Sequence, residues 1–98
     1  MTNYERGVEI ERKIQDKLEK EGWWTCRTAG SHTKIDIIAL KSNEIKLIQS
    51  KRFKSSIQSW IIEDALRELS YVKAEGQLQV SKEVWSWLDR KGFTIDKL

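Results

Sequence analysis

A chain of 98 residues with a net charge of +3 and a pI near 9.1 is expected to form one domain, residues 1–98, around a single modest core. Its charge fits a polyanionic partner and equally a solubilising surface, so composition alone does not choose between them. Cys26 is the only cysteine, which excludes an internal disulfide and a cysteine-based metal site. No apolar run approaches a membrane span and the first six residues lack a secretory apolar stretch, so a cytoplasmic protein without a membrane partner is expected.

Thr2 or Asn3 can cap a first helix from Tyr4 to Glu21, with Gly22 as its stop. At about 100° per residue, Ile10, Gly7, Ile14, Leu18, Tyr4 and Val8 spread over roughly 160° of the helix, with Glu11 in the middle of that arc. Glu is seldom buried unpaired. Two readings therefore stand: a half-buried Glu11 paired with Lys51 or Arg27, or a carboxylate aimed at a functional site.

A strand from Trp23 to Thr28 comes next, sending one of Trp23 and Trp24 inward and the other outward, with Cys26 as a small buried hydrophobe. After the turn 29–34, Ile35–Leu40 and Ile45–Lys51 read as a hairpin joined by the polar loop Lys41-Ser42-Asn43-Glu44. Pairing Leu40 with Ile45 sets Ile38 against Leu47 and Asp36 against Gln49. Side chains alternate along strands, so Asp36, Gln49 and Lys51 then share one end of an otherwise apolar face.

Ser55 or Ser56 can cap a second helix reaching Lys73, with Ile62, Ala65, Leu66, Leu69 and Val72 as its apolar stripe. Residues 77–80 read as a fourth strand, and Ser81 as the cap of a last helix through Arg90. That assignment places Trp85 and Trp87 on different helical faces. An extended piece at 93–95 ends the pattern. The order α-β-β-β-α-β-α-β predicts an α/β fold, a mixed central sheet flanked by helices.

An acid, an amide carbonyl and a second acid suit a hard divalent cation such as Mg²⁺ or Mn²⁺. Glu11, Asp36 and Gln49 are the candidate ligands, with the Ser50 backbone carbonyl a further oxygen. Lys51 would orient or deprotonate a water and stabilise charge on a reacting phosphate. Arg12, Arg27, Lys34, Arg52 and Lys54 would hold backbone phosphates. Gly30 and Ser31 offer donors at the mouth of the site, and His32 lies in the same basic loop. Mg²⁺-assisted hydrolysis of a phosphodiester in DNA is the chemistry that uses this set.

Asp36 followed by Gln49-Ser50-Lys51 resembles the D…(D/E/Q)-x-K signature of the PD-(D/E)XK nuclease superfamily. The run Arg6-Gly7-Val8-Glu9-Ile10-Glu11-Arg12, the helix to Gly22, Arg27-Thr28-Ala29-Gly30-Ser31 and Ile35-Asp36-Ile37-Ile38-Ala39 look like the opening half of archaeal Holliday junction resolvases. The likeness covers residues 4–54. It implies a restriction-endonuclease-like sheet and a homodimer that cuts branched or double-stranded DNA. It also implies an active site of Glu11, Asp36, Gln49 and Lys51, Ser31 as an auxiliary catalytic residue, and Arg12 and Arg27 as phosphate contacts.

Those resolvases carry an acid where this chain has Gln49. The amide carbonyl still offers an oxygen but removes a negative charge. The leading expectation is a metal-dependent DNA endonuclease with Holliday or other branched junctions among its substrates. The alternative is a catalytically degenerate nucleic-acid-binding protein on the nuclease fold. A third reading is an interaction protein in which a Glu11–Lys51 pair only stabilises the core. Trp60, Ile61, Trp85 and Trp87 are the expected apolar patch of a dimer.

Overall fold

Thr2 opens the first helix, α1 (Asn3–Lys20), by accepting the Glu5 N–H on its hydroxyl at 3.1 Å, as an N-cap should. Gly22, at φ +94°, turns the chain out of the helix, a conformation most side chains resist. These details come from a computed structural model that describes residues 1–28, 34–74 and 79–98.

Five strands are present among the described residues, β1 (Trp24–Arg27), β2 (Ile37–Lys41), β3 (Glu44–Phe53), β4 (Gln79–Leu88) and β5 (Gly92–Lys97), in the order α-β-β-β-α-β-β, without the expected helix before the last strand. They form one sheet in sequential order. The β3–β4 pair is parallel and the other three pairs are antiparallel. A parallel pair needs a crossover, and α2 (Ser59–Ser70) supplies it. The hairpin register is the expected one, Leu40 with Ile45 and Ile38 with Leu47.

The helices cover opposite faces of the sheet. Ile10, Ile14 and Leu18 of α1 bury against Ile37, Ala39, Ile48 and Trp85. On the other face Ile62, Ala65 and Leu69 of α2 pack with Phe53 and Val84. Strand alternation produces both surfaces from the same strands: Ile48 faces α1 while Gln49 and Phe53 face α2.

Several expectations need correction. The predicted last helix from Ser81 to Arg90 is instead the body of β4, a ten-residue strand paired along its whole length with β3. Val84-Trp85-Ser86-Trp87 is rich in β-branched and aromatic groups, and sheet pairing overrides the helix reading. Trp85 and Trp87, two apart on a strand, then share a face. Both stack edge-on against Phe93, at centroid distances of 5.4 and 4.9 Å. Trp85 is only 2 % exposed, so it is core rather than interface. The second helix starts at Ser59, later than Ser55 or Ser56, and its cap residue Gln58 makes no side-chain capping bond. Cys26 is exposed rather than buried, on the edge strand β1. Trp23 and Trp24 divide as expected, the first half-buried against the core and the second exposed.

Candidate active site

The last turns of β3 carry Gln49, Ser50 and Lys51 into the centre of the sheet, between β2 and β4. Gln49 and Lys51 lie on the face covered by α2, and Ser50 lies on the face covered by α1. Asp36 stands just before β2. Its N–H donates to the Ile48 carbonyl at 2.8 Å, and its carbonyl accepts the Thr28 N–H at 3.0 Å. Its backbone is thus fixed between β1 and β3.

The Asp36 carboxylate accepts the Ser50 N–H at 2.8 Å and the Ser50 hydroxyl at 3.3 Å. The ladder in register ends at Ile37 with Ile48, so Asp36 bonds across to Ser50 rather than facing Gln49 in a continued pair. Gln49 is 6 % exposed, and its side-chain carbonyl oxygen has no hydrogen-bond partner among the described residues. Native interiors rarely leave such an oxygen unpaired. Lys51 is half-buried, with no ion pair or hydrogen bond among the described residues.

Glu11 is half-buried on the inner face of α1, as the wheel requires, and pairs with Arg27 of β1 at 2.8 Å. Of the two partners expected from the sequence, Arg27 is the one used, because Lys51 lies on the opposite face of the sheet. The hydrogen bond to Glu11 raises the Arg27 pKa further above its ordinary value, outweighing the opposing effect of burial. Among the described residues no hydrogen bond or ion pair joins Glu11 to Asp36. Nor does any trio of His, Cys, Asp or Glu gather at one point among them. The expected convergence of Glu11 on the Asp36 cluster is therefore absent in this state.

The expected phosphate-binding cations divide into two groups. Arg12, Lys34 and Lys54 are exposed, and Lys34 makes only a loose pair with Glu68 at 3.8 Å. Arg27 is held by Glu11, and Arg52 is held by Asp89 at 2.5 Å. Gly30, Ser31 and His32 lie outside the described residues.

Sequence reasoning missed Glu83, which is 0 % exposed. Its carboxylate accepts hydrogen bonds from Lys46 and Ser81, each at 2.6 Å, and from the Trp85 indole at 2.9 Å. Burial opposes its ionisation, but those three donors and the Lys46 charge outweigh it and hold the carboxyl below the usual glutamate range. The alternation Ser81-Glu83-Trp85-Trp87 was the available signal, and the helix assignment hid it. This network lies on the α1 face of the sheet, with Glu83 in register with Ile48 midway along β3.

The donor set at the end of β3 fits a hard divalent cation. The Asp36 carboxylate and the unpartnered Gln49 carbonyl are both oxygen ligands of the required kind. Lys51 adds a cation with no competing carboxylate, suited to charge on a phosphoryl group.

A family model described as archaeal Holliday junction resolvase matches residues 2–80. That match runs past Lys54, where the likeness read from the sequence stopped, through α2 and into β4. Among solved structures, that of Archaeoglobus fulgidus Hjc, a Holliday junction resolvase from an archaeal hyperthermophile, superposes with a TM-score of 0.70. The two chains are 22 % identical, and the match covers 94 % of this chain and 72 % of the other. At that identity the structural likeness speaks for the fold.

Proposed function

Because the chain belongs to the archaeal Holliday junction resolvase family, and is thus a junction-resolving nuclease, we propose that it cuts DNA with Mg²⁺ held by Asp36 and Gln49. Nucleases of this family generally depend on a divalent metal. The observation that carries the assignment here is the buried, unpartnered carbonyl oxygen of Gln49 beside the Asp36–Ser50 pair.

When bound, the cation would polarise the scissile phosphodiester and offset charge developing on its oxygens. Asp36 is already oriented for this role by two hydrogen bonds from Ser50, so its carboxylate needs little reorganisation. The Ser50 main-chain carbonyl is the further oxygen of the ligand set. Lys51 places its ammonium against the reacting phosphate and orients the attacking water. By the family likeness Ser31 is proposed as an auxiliary catalytic residue, with Gly30 and His32 as DNA contacts.

Glu11 enters through Arg27. A DNA phosphate offers the guanidinium a second anion, and Glu11 orients Arg27 for it from the α1 face, across the sheet from Gln49. Arg12, Lys34 and Lys54 add exposed positive charge for the DNA backbone, and Arg52 joins them when Asp89 yields it. The partner is branched DNA, which needs two coordinated cuts, and a homodimer supplies two sites. With Trp85 in the core and Trp87 half-buried against Phe93, the interface falls on α2, where Trp60 is 66 % exposed and Ile61 adjoins it.

Cleavage of linear, flapped and four-way DNA by the purified protein with Mg²⁺ tests the proposal. Preferential resolution of the four-way substrate is expected. Tight junction binding without cleavage at any Mg²⁺ or Mn²⁺ concentration would instead favour the degenerate binding protein, through the charge missing at Gln49.

A further inference from the structure

Three buried side-chain oxygens lack partners among the described residues: Gln49 Oε1, Ser86 Oγ and Asp96 Oδ2. Strand register places all three on the sheet face that α2 covers. Gln49 pairs with Val84, which pairs in turn with Asp96, while Ser86 pairs directly with Lys51. Residues in register on parallel strands present their side chains to the same face. Ser86 therefore stands beside the Lys51 stem, at its own level of the sheet.

Ser86 sits in an apolar setting. It is 0 % exposed and lies between Val84 and Leu88, both packed with α2. Leaving a hydroxyl unsatisfied there costs on the order of 1–3 kcal/mol, and an alanine methyl would fill the position without that penalty. Lys51, one strand away, has three ammonium donors and no described partner. A lysine side chain is long enough to fold back over the adjacent strand, and a serine oxygen can accept from it.

We propose that Ser86 is a positioning residue for Lys51: the two stand in register with neither partnered among the described residues, and a turn of the lysine side chain lets the Ser86 hydroxyl accept from the ammonium and fix it over the end of β3. The proposal rests on the assignment of Lys51 to the reacting phosphate. A floppy lysine would sample many positions, whereas an anchored one meets the phosphate already in place. Ser86 touches neither DNA nor metal in this account, and acts only through Lys51.

The test uses the full chain with Ser86→Ala, Ser86→Thr and Ser86→Cys, Cys being close to Ser in volume but a poor acceptor. The first readout is side-chain ¹³Cε relaxation of Lys51, assigned by its loss in Lys51→Gln, with exposed Lys54 and Lys91 as internal references. Ser86→Ala and Ser86→Cys are expected to raise Lys51 mobility to that of the references, and Ser86→Thr to restore order. The second readout is single-turnover junction cleavage. Its rate should fall about ten- to a hundredfold in the Ala and Cys variants, with junction affinity unchanged. Unchanged Lys51 order in Ser86→Ala would overturn the proposal whether or not the protein cuts DNA. Loosened Lys51 in a protein that never cleaves would uphold the anchor and refute the nuclease assignment instead.

Discussion

Replacing Gln49 with glutamate should have opposite consequences with and without a divalent ion. Gln49 is 6 % exposed and its carbonyl oxygen is already unsatisfied, so Gln49→Glu puts a carboxylate where no described donor awaits it. An unpartnered buried group costs about 1–3 kcal/mol, with charged groups at the upper end, so a loss of roughly 2–3 kcal/mol is expected without metal. For a domain of this size each kcal/mol shifts Tm by about 4–8 °C, giving a fall of roughly 10–20 °C in EDTA. A ligand at a hundred times its Kd contributes about 2.7 kcal/mol, enough to return the variant to the parent's range. Thermal melts of both proteins across a Mg²⁺ titration read this directly. A variant that gains no more from Mg²⁺ than the parent would show that Gln49 is not a ligand.

Four further outcomes follow from the geometry. Asp36→Asn should abolish cleavage while retaining junction binding, because the amide preserves the shape at Ser50 but not the charge; parental cleavage rates would contradict this. Arg27→Gln should weaken junction affinity and reduce the slope of log affinity against log salt by about one, as measured by fluorescence anisotropy. Lys46→Met leaves the fully buried Glu83 with only Lys97, 4.0 Å away, as a cation and should lose roughly 3 kcal/mol, the low end for breaking a buried pair, in urea unfolding at neutral pH. Its pH dependence should also weaken. In the parent the Glu83 pKa is lowered on folding, so its contribution is full above the unfolded carboxyl value and is lost as pH falls through the folded one. In Lys46→Met, where Ser81, Trp85 and Lys97 remain but Lys46 does not, the loss on acidification should be smaller. Trp60→Ala should weaken self-association in sedimentation equilibrium while leaving urea stability nearly unchanged.

The sequence made the hairpin legible because two apolar runs flank a short polar turn, and pairing Leu40 with Ile45 across it sets the Ile38–Leu47 register. It made Glu11 legible because one acid interrupts an otherwise apolar arc of α1. What it concealed was long-range. The β-branched and aromatic groups of Val84–Trp87 lean toward a strand, but a Ser cap and a Gly stop lean toward a helix; the parallel pairing with β3, available only after α2 crosses the sheet, decides it. The partner of Glu11 was equally hidden, because only the assembled sheet places Arg27 on the α1 face and Lys51 on the other. Glu83 and Ser86 followed the mistaken helix out of view, although both lie in register with residues of β3.

Single-turnover cleavage of a synthetic four-way junction, with a linear duplex of matching sequence as control, tests the central claim most directly. With Mg²⁺ present, the parent is predicted to cut the junction into nicked duplexes far faster than the linear control, and Asp36→Asn and Lys51→Ala to bind it uncut. Equal cutting of both substrates, or cleavage that survives both substitutions, would contradict the account.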